Sequence, residues 1–243
     1  MSEILTALAA NVLSWFVSQF FPSFMPKLLP TIEQEDKREV PLETQTKCVV
    51  IGRPGGSEQL RIVTLKPGVL TCGYNLKDHP PPFTKELKDD NAIPAECLIL
   101  KNEAFSVNYA DCCIRWGLYE SANEFVGWPI CPGFDVAGVV EKVGGTGGGS
   151  NKKDGEKFKP GDRVFGCTLF GAYSSKVLVP KMQLKKIPTG LSMQEAAAIP
   201  AVSLTALYAL FLAGLYGSDI RLSNRAILIH SAAGGVGSMV SFF

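Results

Sequence analysis

The sequence predicts an α/β chain in two unequal parts. A barrel-like or sandwich β domain occupies residues 47–188, and the opening of a parallel, helix-flanked sheet occupies residues 189–243. Three observations carry this reading. Short apolar runs recur between Lys47 and Val179, separated by Gly/Pro turns. The run Ala226–Ile229 is apolar without alternation, as a strand buried on both faces of a sheet requires. A Gly-rich turn, Ser231–Gly237, follows it at once. The composition fits: 46% hydrophobic and 19% charged residues exclude a wholly disordered chain. With 24 Lys+Arg against 23 Asp+Glu, the net charge is +1, and no basic stripe stands out, which argues against broad electrostatic binding to nucleic acid. Seven Cys, an odd number with no disulfide or metal spacing, point to a reducing, cytoplasmic compartment.

Residues 1–46 stand apart. Ile4 to Phe21 carries no charge, and 13 of its 18 positions are apolar. Asn11, Ser14 and Ser18 form one narrow polar stripe at helical spacing. Pro22 and Pro26 end any helix there. The amino terminus, Met1-Ser2-Glu3, lacks the basic residues of a secretory signal, and no Arg precedes Arg38, as a mitochondrial presequence would need. Three readings stay open: a helix in or across a membrane, a helix docked on a protein surface, or an unstructured tail. Residues 31–46 (TIEQEDKREVPLETQT) read as a charged linker.

The β domain is read as six strands: Lys47–Ile51, Leu60–Leu65, Ala95–Lys101, Val136–Val143, Arg163–Gly166 and Tyr173–Val179. Asn75–Asn91, with His79 and three prolines, reads as an exposed loop, and Gly144–Lys159 as a flexible Gly-rich one. In the second part Ser192-Met193-Gln194-Glu195 fits a capping box opening a short helix that Pro200 breaks or kinks. Ser203–Ala213 has helical length, with Gly214 as its stop. Ala226–Ile229 then reads as a buried strand and Ser238–Phe243 as the first turns of a helix.

A strand, a Gly-rich turn and a helix form the βα turn of a dinucleotide-binding fold. Ala232 takes the first-glycine position, Gly234 lets backbone approach a pyrophosphate, and Gly237 allows close helix–strand packing; with Gly235 and Val236 they make the expected cofactor loop. Only twenty residues, Asn224 to Phe243, follow the start of that strand, whereas one βαβ unit needs about 30. The nucleotide domain is therefore expected to be incomplete, and these 243 residues alone to bind cofactor weakly or not at all.

Four ordered segments resemble the medium-chain dehydrogenase/reductase superfamily, in its zinc-independent quinone-oxidoreductase branch. They are Asn108–Tyr119 (N-x-x-D-x-x-x-R-x-G-x-Y), Pro132–Val140 (P-G-x-[DE]-x-x-G-x-V), Gly161–Val164 (G-D-R-V) followed by Gly171-Ala172-Tyr173-Ser174, and Ala232–Gly237 (A-x-G-G-V-G). Within the branch the chain also resembles the VAT-1-type proteins. The resemblance implies a GroES-like β-barrel substrate domain (47–188) joined to a Rossmann domain (189–243), an NAD(P)H cofactor with NADP(H) ahead of NAD(H), a quinone, enone or similar carbonyl substrate, and a homodimer. It aligns Asn108 and Phe134 with the Cys and His zinc ligands of the superfamily's alcohol dehydrogenases, and neither Asn nor Phe is a normal zinc ligand, so no zinc is expected. Carbonyl polarisation then falls to hydrogen-bond donors, with Asn108, Tyr119 and Arg115 as candidates. The resemblance puts Asn108 and Asp111 near the nicotinamide, although Asp111 and Arg115 could instead be a structural helix pair. Thr205 and Tyr208 lie on the helix expected beside the cofactor. The competing reading is a non-catalytic, membrane-associated or interaction protein, with membrane contact through residues 4–21.

Overall fold

The structure, a computed structural model, describes residues 45–73, 84–88, 93–145, 158–215 and 226–242. The apolar segment 4–21, the linker 31–46 up to residue 44, and His79 lie outside them. A hairpin of β1 (Lys47–Ile51) and β2 (Leu60–Thr64) pairs antiparallel, Lys47 opposite Thr64 and Ile51 opposite Leu60. Seven more strands form one sheet: β3 (Val69–Cys72), β4 (Thr84–Glu86), β5 (Cys97–Ala104), β6 (Asp135–Val143), β7 (Arg163–Cys167), β8 (Lys176–Pro180) and β9 (Leu184–Lys186). Their order is β4-β3-β8-β5-β6-β7-β9, antiparallel throughout except for the β3–β8 pair.

All six expected strands form, with ends that move by up to three residues. The structure adds β3, β4 and β9. Of these, β4 corrects the loop expected over 75–91, because Val69–Thr71 pairs with Thr84–Glu86. The centre of the sheet explains the sequence of β5. Leu98 and Leu100 face Val136, Val140, Val164, Val177 and Val179, whereas Cys97 and Ile99 face Leu70, Cys72, Ile93 and Leu178. A strand between two apolar layers cannot alternate with polar residues, hence Cys-Leu-Ile-Leu.

Two short helices follow β5: α1 (Tyr109–Arg115) and α2 (Glu120–Phe125). After β9 come α3 (Met193–Ala197), α4 (Pro200–Leu212) and α5 (Gly235–Phe242). The Ser192 box forms as expected. The Glu195 N–H donates to Ser192 Oγ (3.2 Å), and the Ser192 N–H donates to Glu195 Oε2 (2.9 Å). Ala196 and Ala197 bury α3 against Ala137 of the sheet. The short helix ends at Ala197, before Pro200, as expected. Pro200 opens α4 at the first turn, where its missing N–H leaves no bond unmade. Gly214 ends α4 with φ +66°. The stretch Met193–Leu212 has the length and apolarity of a membrane span, but α3 packs on the sheet and Ala206 and Leu210 of α4 are buried.

The largest correction concerns residues 226–229. They form no strand among the described residues, and Ile227 and Leu228 are 49% and 83% exposed. A parallel strand needs neighbours on both edges and helices on both faces, and the described residues bring none to this segment. The helix α5 also starts at Gly235, three residues earlier than expected.

Candidate functional site

The site forms where β5 runs into α1. Asn108 precedes α1 in extended backbone (φ −108°, ψ 155°), a position Asn favours because it terminates a helix cleanly. Its N–H donates to Asp111 Oδ2 at 2.8 Å. Its side-chain Nδ2 donates to Ser106 Oγ and to Asp135 Oδ2, both at 2.9 Å. The Ser106 hydroxyl donates to the same Asp135 oxygen. Asp135, the first residue of β6, accepts on its other oxygen the N–H of Ala201 in the first turn of α4, at 2.7 Å.

Asp111 is 6% exposed. Besides Asn108 it accepts the Gly133 N–H at 3.0 Å and the Tyr173 hydroxyl at 2.9 Å. Gly133 is needed there twice over: its φ is +98°, and a Cβ would lie 2.3 Å from the Tyr173 ring. Phe105 stacks on the outer side of Tyr173, with centroids 4.4 Å apart. Burial pushes the Asp111 carboxyl up from the ordinary 3.8 to about 6, against the pull of its three hydrogen bonds and with a further push from Asp135. Burial likewise raises Asp135, against its bonds to Ser106, Asn108 and Ala201. The Tyr173 hydroxyl is held above the usual phenol range, first by burial and then by Asp111.

The other expected residues separate into groups. Arg115 does not pair with Asp111. Its Nη1 donates to the Gly55 carbonyl at 2.7 Å, and its guanidinium lies 5.3 Å from the Trp116 ring centre. It sits at the far end of α1, roughly 10 Å along the axis from Asn108, and staples that end to the turn between β1 and β2. The Tyr119 ring is buried and packs at 5.8 Å from Phe134 and 6.0 Å from Phe170. Cys113 is buried in the same cluster with Ile51 and Ile114, while Cys112 is half-buried. Among the described residues, no group of three or more His, Cys, Asp or Glu side chains could hold a metal ion.

The cofactor candidates lie on one helix pair. Val202 of α4 would be 2.9 Å from a Cβ on Gly235 at the start of α5. Thr205 Oγ1 donates back to the Ala201 carbonyl at 2.7 Å. The Tyr208 hydroxyl is buried with no partner among the described residues. The Gly234 N–H donates to the Ser231 carbonyl (2.8 Å), and Ser231 itself has φ +55°. A Cβ on Gly237 would lie 2.3 Å from the Ser231 carbonyl oxygen, so this glycine closes α5 onto the turn before it. Ala232, Gly235 and Val236 complete the turn and the first helical residues.

Sequence reasoning assigned no role to Asp135, Tyr173, Ser106 or Gly133. All but Ser106 stand inside motifs it quoted, but their partners lie 22 to 66 residues away along the chain.

Comparison with known proteins agrees with this architecture. Residues 94–189 match the alcohol dehydrogenase GroES-like domain. A quinone oxidoreductase of Pongo abelii is 33% identical over 160 residues, covering 64% of this chain and 44% of that protein. The human synaptic vesicle membrane protein VAT-1 homolog-like structure superposes with a TM-score of 0.59 at 26% identity, over 81% of this chain and 51% of the other. The Escherichia coli quinone oxidoreductase structure, complexed with NADPH, gives 0.57 at 27% identity, over 80% and 48%. The chain thus spans less than half the length of that curated relative. A GroES-like domain followed by the opening of a Rossmann-like domain, with these relatives, makes the chain similar to the quinone oxidoreductases and VAT-1-like proteins of the medium-chain dehydrogenase/reductase superfamily.

Proposed function

We propose that the whole protein is a metal-free, NAD(P)H-dependent oxidoreductase, using NADP(H) ahead of NAD(H), that reduces a quinone, an enone or a similar electrophilic carbonyl compound. The observation that carries the reading is what occupies the two aligned zinc-ligand positions. Asn108 uses both amide hydrogens on Ser106 and Asp135, and Phe134 packs its ring on Tyr119 and Phe170. Neither side chain is a normal zinc ligand. The NADPH named in the Escherichia coli relative's structure supports the cofactor choice.

The residues present fit a dinucleotide. The buried, partnerless Tyr208 hydroxyl offers a donor on α4, with Thr205 one turn before it. The first amides of α5, at Gly235, Val236 and Gly237, have no intrahelical acceptor and face the side where a phosphate is favoured by the helix dipole. Ala232 and Gly234 keep the preceding turn free of bulk. When bound, the cofactor would supply the hydride. Asn108, its amide hydrogens engaged by Ser106 and Asp135, would line the nicotinamide side of the site. Asp111 acts as a positioning residue that holds this turn against Gly133 and Tyr173, and Arg115 anchors the far end of α1. Tyr119, Phe134 and Phe170 form an apolar aromatic wall.

Titration of the full-length protein with NADPH, and NADPH oxidation with quinones and enones alongside metal analysis, tests the reading. Neither binding nor turnover sinks it. The 243 residues alone should bind NADPH more weakly than the micromolar range, because residues 226–229, which lead into the Gly-rich turn, form no strand among the described residues.

A non-catalytic interaction role is the second reading, favoured by exposed Leu204, Phe211, Leu212, Ile227 and Leu228 and by the apolar segment 4–21. Deleting residues 1–30 and fractionating cells tests it. An identical distribution between membrane and supernatant for both forms counts against it. The proposed localisation is cytoplasmic, and the proposed assembly a homodimer.

A further inference from the structure

We propose that Asp135 is the positioning residue that makes one mechanical unit of the Asn108 turn and the first turn of α4. The side chain is 1% exposed, so its charge must be met inside the protein. It is met from two directions. Oδ2 takes Ser106 and Asn108, which lie 29 and 27 residues earlier in the chain, and Oδ1 takes the Ala201 amide, 66 residues later. An ionised carboxylate accepts on both oxygens at once, and an amide cannot.

The helix end is shaped for this contact. Pro200 opens α4 and has no N–H, so Ala201 supplies the first amide the helix can donate. A negative charge there also meets the positive end of the helix dipole. The far side of the link matters because α4 carries Thr205 and Tyr208 and packs on α5. A displacement of the Asn108 turn is therefore passed through a rigid carboxylate to the helix pair. The link stands on geometry and does not depend on the cofactor reading.

Hydrogen–deuterium exchange on the full chain tests it, with a readout independent of cofactor binding or turnover. In Asp135→Asn, amide exchange should rise about tenfold or more both at residues 106–111 and at 201–205, with β5 unchanged, because each side loses a charge-assisted bond. The decisive variant is Asn108→Ala, which touches Asp135 but not α4. It should speed exchange at residues 201–205 as well. Parent-rate exchange there, or loosening of only one side in Asp135→Asn, overturns the proposal. If Asp135→Asn fails to fold, Asn108→Ala decides alone. A control, Ser192→Ala, should leave residues 106–111 at the parent rate, since it loosens α3 without touching the network, and faster exchange there also overturns the proposal.

Discussion

Replacing Asp111 by Asn should change the pH dependence of stability more than stability itself. The parent carboxyl sits near 6 in the folded protein, against an ordinary 3.8, because burial disfavours its charge. A raised carboxyl value means that the folded state holds the proton more tightly than the unfolded chain. Its contribution is fully present below about 3.8 and is lost as pH rises through about 6. The gap of about two pH units is worth about 3 kcal/mol at roughly 1.4 kcal/mol per unit. The side chain is 6% exposed, so solvent screening removes little of this. Asn carries no charge and escapes that loss. It does lose one acceptor: with its oxygen turned to Asn108 and Tyr173, its NH2 meets the buried Gly133 N–H, an unmade bond costing about 1–3 kcal/mol. Asp111→Asn should therefore be about 1–3 kcal/mol less stable than the parent at pH 4, and should gain about 3 kcal/mol on it by pH 7.5. Urea unfolding followed by tryptophan fluorescence suits the assay, since Trp116 follows α1 directly and Trp128 packs in the same cluster. A parent-to-variant difference that stays constant from pH 4 to 7.5 would refute the reasoning.

Three further outcomes follow from packing and capping. Gly237→Ala places a methyl 2.3 Å from the Ser231 carbonyl and should cost about 1–3 kcal/mol, seen as earlier melting together with weaker retention on immobilised NADPH in the full-length protein. Leu98→Ala opens a cavity beside Val136, Val140 and Val179 and should cost about 2–5 kcal/mol in urea unfolding, and a loss below 1 kcal/mol would show that β5 is not the centre of the core. Ser192→Ala removes the acceptor of the Glu195 amide and should cost about 1 kcal/mol, whereas Ser192→Asp should recover most of it.

The sequence by itself determined the local decisions. Lys47–Ile51 is a strand as read, because a short apolar run bounded by Gly-Arg-Pro permits little else. Ser192 and Glu195 cap a helix because their partners are three residues apart and need no distant help. The α/β order and the quinone-oxidoreductase likeness were legible for the same reason: both rest on residues close together in the chain.

Tertiary structure decided whatever depends on partners far along the chain. Strand β3 is four residues long, and it exists because β8, more than 100 residues later, pairs with it. Asp111 and Arg115 have helical salt-bridge spacing, yet Gly133 and Tyr173 claim one and Gly55 the other. Tyr119 fits a donor or a packed aromatic by sequence alone, and only the fold sets its ring against Phe134 and Phe170. Ala226–Ile229 has a buried strand's composition without the neighbours that would make it one. Spacing along the chain sets which conformations are locally cheap. Which charges are desolvated, and which donors meet them, is settled only when Asp135 is brought within 3 Å of both Asn108 and Ala201.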